Sequence, residues 1–128
     1  MRYLLDTHTM LWFIDGNNAL SLQSKQIILN KENSCFLSVV SLWEIAIKIS
    51  LNKLELSVTF QDLELFLAQN EIEILPLENI HFSHLLQLPF FHRDPFDRIL
   101  IAQCISENLI FITKDENIQA YSQIKFIW

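Results

Sequence analysis

Residues 2–13 read RYLLDTHTMLWF, a short apolar run that ends in a carboxylate and passes directly into a helical pattern. Residues 2–5 predict a buried strand, and residues 7–13 predict a short helix. A continuous apolar run is typical of a parallel strand, because helices cover both faces of a parallel sheet. The stretch therefore predicts an α/β domain in which the central strand delivers Asp6 at its carboxyl end.

The same alternation of apolar runs and helical patterns continues along the rest of the chain. Further strands are predicted at residues 35–38, 72–75 and 109–113 and, at an edge, 125–127. Helices are predicted over residues 21–31, 40–51, 59–69, 78–87, 95–107 and 116–121. We therefore predict one domain, residues 1–128, with a central, mainly parallel sheet of about five strands and helices on both faces.

The composition is that of a compact globular domain. Of the 128 residues, 51% are hydrophobic and 19% are charged, which is enough apolar material for a core. No apolar run reaches the roughly 18 residues that cross a bilayer, and the amino terminus lacks a secretory signal. We therefore expect no membrane association and a cytoplasmic location. Cys35 and Cys104 lack CxxC spacing and are predicted to be buried hydrophobes.

The net charge of -6 argues against a simple basic surface for nucleic acid, because phosphate attraction supplies most nonspecific affinity. It does not exclude a nuclease, since metal ions in an acidic pocket offset the local negative charge. Lys48, Arg93 and Arg98 lie near the predicted rim and are candidate substrate contacts. The acidic balance also suits a cationic protein partner.

Four carboxylates that are distant in sequence follow apolar runs or open helical patterns: Asp6, Glu44, Asp97 and Asp115. In an open α/β sheet these positions converge at one rim. Clustered acids repel one another unless cations lie between them, and oxygen ligands select Mg²⁺ or Mn²⁺. Two-metal phosphoryl chemistry requires several carboxylates around ions that are roughly 3.5–4 Å apart. The pattern predicts a metal-dependent site that cleaves phosphodiesters.

Each acid also has a structural interpretation. Glu44 fits a capping box with Ser41, Asp97 suits the first turn of a helix, and Asp115 can cap the short helix after it. Asp94 is predicted to be the N-cap of a helix that opens with proline. Asp6 is harder to explain in this way, because a carboxylate after a central strand is costly to bury without cations or donors.

Other polar residues give weaker signals. Thr113 either orients a carboxylate or simply ends a strand, and Lys48 either contacts phosphate or pairs with the acid one turn before it. His81 and His84 lack a nearby third ligand and are predicted to be exposed helix residues. The roles of the two histidines near the rim, His8 and His92, stay open. No phosphate-binding loop, dinucleotide fingerprint or nucleophile elbow is present.

Four motifs occur in a specific order: D-T-H at 6–8, S-x-W-E-x-A-x-K at 41–48, H-R-D-P-F-D-R at 92–98 and T-x-D at 113–115. This set resembles the PIN-domain ribonucleases, in particular the VapC-type toxins of bacterial toxin–antitoxin pairs. The resemblance runs from residue 2 to the carboxyl terminus. It implies an α/β/α domain, Mg²⁺- or Mn²⁺-dependent endoribonuclease activity, a homodimer and inhibition by a cognate antitoxin.

The resemblance also assigns residues to the site. It implies metal binding by Asp6, Glu44, Asp97 and Asp115, with Asp94 as a neighbour and Thr113 as a supporting group. On this interpretation water attacks an RNA phosphodiester in line, and no covalent intermediate is needed. Candidate apolar anchors for an antitoxin are the aromatic residues near the rim: Trp12, Trp43 and Phe96.

Two other classes of protein stay open from the sequence. A receiver-like phosphoacceptor also gathers acids at strand ends, but it normally places adjacent acids after its first strand, whereas Asp6 is followed by Thr7 and His8. A catalytically silent interaction module would keep the fold without needing the acids. Metal-dependent cleavage of RNA distinguishes a nuclease from both.

Overall fold

The computed structural model describes residues 1–128 and contains a five-stranded, fully parallel sheet. The strands are β1 (Arg2–Leu5), β2 (Ser34–Ser38), β3 (Ile72–Leu75), β4 (Ile110–Ile112) and β5 (Lys125–Ile127). Their order across the sheet is β3-β2-β1-β4-β5, so β1 is central and β5 is an edge strand. The predicted α/β class, the parallel sheet and the edge position of residues 125–127 are confirmed.

Both faces of the sheet are covered, which explains the continuous apolar run in β1. Leu4 packs on one face in a cluster with Phe111 and Leu100, whereas Leu5 packs on the other face with Leu37 and Ile45. All six side chains are fully buried. Neighbouring residues of β1 therefore contribute to two separate cores, as expected for a strand between two helical layers.

Seven helices connect the strands, and none has the length and apolarity that crossing a membrane requires. They are α1 (Thr7–Asp15), α2 (Leu22–Leu29), α3 (Val39–Ser50), α4 (Phe60–Gln69), α5 (Asn79–Leu86), α6 (Pro95–Glu107) and α7 (Glu116–Gln119). Thr59, where a helix was predicted to begin, and Asp94, the predicted N-cap, both accept hydrogen bonds from the backbone of the helices that they precede. Cys35 and Cys104 are buried free thiols, as predicted.

Helix α3 begins earlier than the sequence suggests. Its N-cap is Ser38, whose hydroxyl accepts from the Val40 N–H at 3.1 Å. Ser41 therefore lies inside the helix, and the capping box predicted for Ser41 and Glu44 is not formed. The helix ends as expected near Asn52, which adopts a left-handed conformation with φ 55°.

His81 is buried, and the prediction that it is exposed is wrong. Its Nδ1 accepts from the Glu78 N–H at 3.0 Å, and its Nε2 lies 3.0 Å from Glu107 Oε1. Helix α5 packs against α6, so this face of α5 points into the protein. Glu78 and Glu107 supply the polar partners that a buried imidazole requires.

Candidate metal centre

The candidate centre lies where the strand order changes direction. Strand β1 pairs with β2 on one side and with β4 on the other. In an open parallel sheet, the crevice beyond the carboxyl ends of two such strands is the expected ligand site. Asp6 follows β1, and its backbone N–H donates to Ile112 O of β4 at 3.1 Å. Thr113 and Asp115 follow β4, so the two strand ends deliver their polar residues to one place.

Asp6 is buried, with 6% of its surface exposed. It occupies the N-cap position of α1, yet its side chain makes no capping hydrogen bond. The Thr113 hydroxyl instead donates to Asp6 Oδ2 at 2.8 Å, and burial is the main factor that raises the pKa of Asp6. Helix capping therefore does not explain this carboxylate.

Asp6, Asp97 and Asp115 line one open cavity of about 440 Å³. The remaining walls of the cavity are His8, Thr9, Trp12, Lys114 and Glu116. Asp97 reaches the cavity from the first turn of α6, and Asp115 reaches it from the N-cap of α7. Three acids that are separated by up to 109 positions thus share one solvent-open space.

The electrostatics of Asp97 show how closely these acids are grouped. Burial raises its pKa to about 8, and the negative charges of Asp6, Asp94, Glu44 and Asp115 contribute in the same direction. A carboxyl group in this environment resists ionisation unless a cation compensates it. The cavity therefore has the charge distribution of a cation site.

Glu44 lies close enough to Asp97 to raise the pKa of that residue, but Glu44 does not line the cavity. Its Oε2 is 2.9 Å from Lys48 Nζ, and its Oε1 is 3.0 Å from the Thr7 hydroxyl. The same hydroxyl lies 2.9 Å from Ser41 Oγ. The structure thus pairs Lys48 with Glu44, one of the two arrangements expected for it, and shows Thr7 as a site-adjacent residue that the sequence did not single out.

Asp94 and the two candidate arginines have distinct surroundings. Asp94 Oδ1 accepts from the Phe96 N–H at 2.8 Å and from the Asp97 N–H at 3.3 Å, so it caps α6 as predicted. Arg93 is exposed. Arg98 is buried, donates to Pro89 O at 3.0 Å and stacks over the Phe90 ring at 3.9 Å from its centroid. Its assignment as a substrate contact is therefore corrected, because its guanidinium is enclosed by the preceding loop.

His92 is a site residue to which the sequence assigned no role. Its Nε2 lies 3.0 Å from Asp97 Oδ2 and 3.1 Å from Asp115 Oδ2. The sequence signal was the placement of His92 two residues before the N-cap Asp94 and five before Asp97, in a loop that leads to the acidic rim. His8, the other unassigned histidine, lines the cavity.

The donor set fits a divalent cation. One oxygen from each of Asp97 and Asp115 lies with His92 Nε2 in a group whose atoms are within 4.8 Å of one another. Asp6 has one oxygen bonded to Thr113, which leaves Oδ1 available. Several hard oxygen donors around an open cavity, two of them on carboxyl groups with a raised pKa, suit Mg²⁺ or Mn²⁺.

The raised pKa of Asp97 predicts a pH dependence of stability in the metal-free protein. In the folded chain Asp97 keeps its proton up to pH about 8, whereas the unfolded chain loses it near 3.8. The folded state binds more protons between these values, so the free energy of unfolding should fall as the pH rises through this window. The slope contributed by one such group is at most about 1.4 kcal/mol per pH unit.

Thermal unfolding in EDTA across this pH range measures the effect. Asp97→Asn should flatten the dependence, because its amide does not titrate. Parallel pH profiles for wild type and Asp97→Asn would contradict the assigned environment of Asp97.

The fold and the site together define an open α/β domain with a cluster of acids, suited to a divalent cation, at the change in strand order. The sequence matches the PIN domain family over residues 3–124. The chain belongs to the PIN domain family, as its motifs predicted, and ribonuclease activity fits this family.

Three solved structures share the fold. VapBC2 from Rickettsia felis, bound to a DNA fragment from their promoter, is 18% identical at a TM-score of 0.76, covering 99% of this chain and 98% of that chain. DNA-bound VapBC from Salmonella typhimurium is 16% identical at a TM-score of 0.69, covering 99% of this chain and 97% of that chain. VapBC-5 from Mycobacterium tuberculosis, of the VapBC family of toxin-antitoxin systems, is 16% identical at 0.57, covering 98% and 97%. A comparison with curated proteins gave no significant match.

Proposed function

We propose that this protein is a metal-dependent endoribonuclease that acts in the cytoplasm as the toxin of a toxin–antitoxin pair. The observation that carries the proposal is the convergence of Asp6, Asp97 and Asp115 on one open cavity of a PIN domain. The raised pKa of Asp97 supports it, because this grouping of acids is unfavourable without a cation.

In this proposal Asp6, Asp97 and Asp115 hold Mg²⁺ or Mn²⁺, and Glu44 completes the acidic set from beside the cavity. When bound, the cation would activate water for attack on a phosphodiester and neutralise charge on the phosphorus oxygens. The chain's own residues would bind the cation and orient the carboxylates around it. Thr113 contributes by holding two acids at once, since its hydroxyl donates to Asp6 Oδ2 at 2.8 Å and accepts from the Asp115 N–H at 3.1 Å.

The surroundings of the cavity suit a phosphodiester that approaches from solvent. Lys114 lines the cavity and Arg93 is exposed, so these cations are available to phosphate oxygens. Lys48 reaches a phosphate only by sharing its ammonium with Glu44, 2.9 Å away. With a net charge of -6, nonspecific attraction to RNA is weak, and the bound cation supplies much of the local attraction.

The strand order argues against the receiver-like alternative. Receiver domains have the order 2-1-3-4-5, in which the first strand lies beside the third. Here β1 lies between β2 and β4. A silent interaction module would not require a buried Asp6 whose side chain makes no capping bond, or an Asp97 whose pKa is raised by burial and neighbouring acids, so the acids favour the enzyme.

Cleavage of RNA by the purified chain tests the proposal. Wild type should cleave in Mg²⁺ or Mn²⁺ and should stop when EDTA is added in excess. Cleavage that continues in EDTA would identify a contaminating ribonuclease or a metal-independent mechanism. Absence of cleavage with either ion, in a folded sample, would favour the interaction module.

We propose that the partner is a cognate antitoxin whose Arg or Lys enters the acidic cavity. Such a side chain would form charge-assisted hydrogen bonds with the carboxylates in place of the cation. Trp12 forms part of the cavity wall and packs edge-on to Trp128, with 5.7 Å between ring centroids, so it offers a fixed apolar surface beside the acids. The VapBC systems among the structural neighbours are consistent with a partner of this kind.

We propose that two copies associate through an apolar face between α3, α5 and α6. Trp43 is 61% exposed and meets Phe96 edge-on at 5.2 Å, beside a cavity of about 220 Å³ with apolar walls that include Phe82. Exposed apolar patches of this kind mark interaction sites.

Light scattering should give twice the chain mass of 15.1 kDa. Phe82→Lys should reduce it to one chain, whereas Leu65→Lys on α4 should not; a monomeric wild type would contradict the dimer.

A further inference from the structure

The loop before α6 places one imidazole between two acids of the centre. His92 Nε2 is 3.0 Å from Asp97 Oδ2 and 3.1 Å from Asp115 Oδ2. Asp97 belongs to α6 and Asp115 caps α7, so His92 is the group that links the two elements at the cavity. Its side chain is 12% exposed, which makes these contacts part of the packed structure.

The backbone of this loop is fixed by two buried side chains, Tyr121 and Arg98. The His92 N–H donates to the Tyr121 hydroxyl at 3.0 Å, and that hydroxyl donates to Pro89 O at 2.7 Å. Arg98 donates to Pro89 O at 3.0 Å and to His92 O at 3.4 Å. The backbone of His92 is therefore held at both its N–H and its carbonyl, and its imidazole has a defined position.

The hydrogen bonds also define the tautomer of His92. The Asp94 N–H donates to His92 Nδ1 at 3.2 Å, so Nδ1 carries the lone pair and Nε2 carries the proton. The Nε2–H donates to Asp115 Oδ2 at 3.1 Å, and Asp97 Oδ2 lies 3.0 Å from the same nitrogen. An imidazole that bound a metal through Nε2 would need its proton on Nδ1, where it would point at the Asp94 N–H. The arrangement is therefore that of a donor to the acids.

We propose that His92 is a positioning residue, which bridges the two acids through Nε2, donating to Asp115 and contacting Asp97, and holds both carboxylates in the arrangement that receives the cation. This inference rests on the proposed metal centre and adds a residue to it. Without the bridge no side chain joins these two carboxylates, so their relative position must be set when the cation binds. Hydrogen-bond partners of metal-binding carboxylates commonly change metal affinity by 10–100-fold.

Two substitutions distinguish the contributions of the two ring nitrogens of His92. In His92→Asn, the amide lies near the position of Nδ1, so it keeps an acceptor for the Asp94 N–H but does not reach the acids. In His92→Gln, the longer side chain places an amide N–H near the position of Nε2 and restores a donor to them. His84→Asn, in the last turn of α5, is the matched control, because His84 does not line the acidic cavity.

The experiment measures the dissociation constants of Mn²⁺ and Mg²⁺ by calorimetry and the melting temperature in EDTA for the four proteins. His92→Asn should weaken the binding of both ions by the same factor, roughly 10-fold or more. Its melting temperature should stay close to that of wild type. His92→Gln should recover most of the affinity, and His84→Asn should match wild type.

The other outcomes overturn the inference in distinguishable ways. Selective loss of Mn²⁺ binding in both His92 variants would make His92 a metal ligand, because imidazole favours Mn²⁺ over Mg²⁺. Unchanged metal affinity with a lower melting temperature would make its role purely structural. Failure of wild type to bind either ion would overturn the proposed metal centre itself, whereas equal affinity in wild type and His92→Asn would overturn only the bridge.

Discussion

Asp6→Asn is expected to remove RNA cleavage while leaving the metal-free protein at least as stable as wild type. The amide has the shape of the carboxylate, and its oxygen still accepts from the Thr113 hydroxyl, which bonds Asp6 at 2.8 Å. The substitution removes a buried negative charge that raises the pKa of Asp97. Cleavage should fall by roughly 10³-fold or more, about 4 kcal/mol of transition-state stabilisation.

The stability measurement separates a functional acid from a structural one. In EDTA, the melting temperatures of Asp6→Asn and Asp97→Asn should equal or exceed that of wild type, because each variant relieves repulsion among the acids. Asp62→Asn, an exposed acid in the first turn of α4, is the control for the substitution itself and should retain full cleavage. A large drop in melting temperature for both Asp6→Asn and Asp97→Asn would show that these acids stabilise the fold.

Expression of wild type alone should arrest growth of a bacterial host. A ribonuclease with a solvent-open acidic cavity acts on the host's own RNA unless a partner blocks the cavity. Asp6→Asn should relieve the arrest at equal soluble levels, and co-expression of the proposed antitoxin should relieve it too. Colony counts after induction, normalised to soluble protein, give the readout.

Binding of the partner by wild type and by Asp6→Asn tests whether relief comes from contact at the cavity. If the partner inserts an Arg or Lys side chain between the acids, Asp6→Asn should also bind the partner more weakly than wild type does, because one charge-assisted hydrogen bond is lost. Equal harmlessness of wild type and Asp6→Asn, without RNA cleavage by either, would contradict the toxin assignment and favour the interaction module.

The sequence predicted the sheet well because parallel strands leave a direct signature. Strand β1 is apolar without alternation, since Leu4 and Leu5 enter two different cores. The caps Thr59 and Asp94 were predictable for a similar reason, because a local hydrogen bond ties each of them to its own helix. The convergence of acids followed from the topology, since parallel strands end at one rim.

The errors arose where burial removes helical periodicity. Seven consecutive residues of α6, from Arg98 to Cys104, are buried, so no polar face identifies the direction of each side chain. Charge then suggested that Arg98 contacts solvent and substrate, whereas the structure encloses it under the preceding loop. The burial of His81 was missed for a related reason, because its partner Glu107 is 26 positions away.

Part of the site depends on tertiary contacts that sequence spacing does not specify. Glu44 is held by Thr7, which lies 37 positions away on another helix. His92 reaches Asp97 and Asp115 only because Tyr121 and Arg98 fix the loop before α6. Local patterns predict where a residue sits along its element, but the contact between a loop and a distant side chain appears only in the folded structure.

The central claim is that the clustered acids hold the cation that RNA cleavage requires. Crystals of wild type and Asp6→Asn soaked in Mn²⁺ test it directly through anomalous scattering. We expect a manganese peak coordinated by oxygens of Asp6, Asp97 and Asp115 in wild type, and a lost or strongly reduced peak in Asp6→Asn. An empty cavity in wild-type crystals, under conditions where the same protein cleaves RNA in Mn²⁺, would contradict the account.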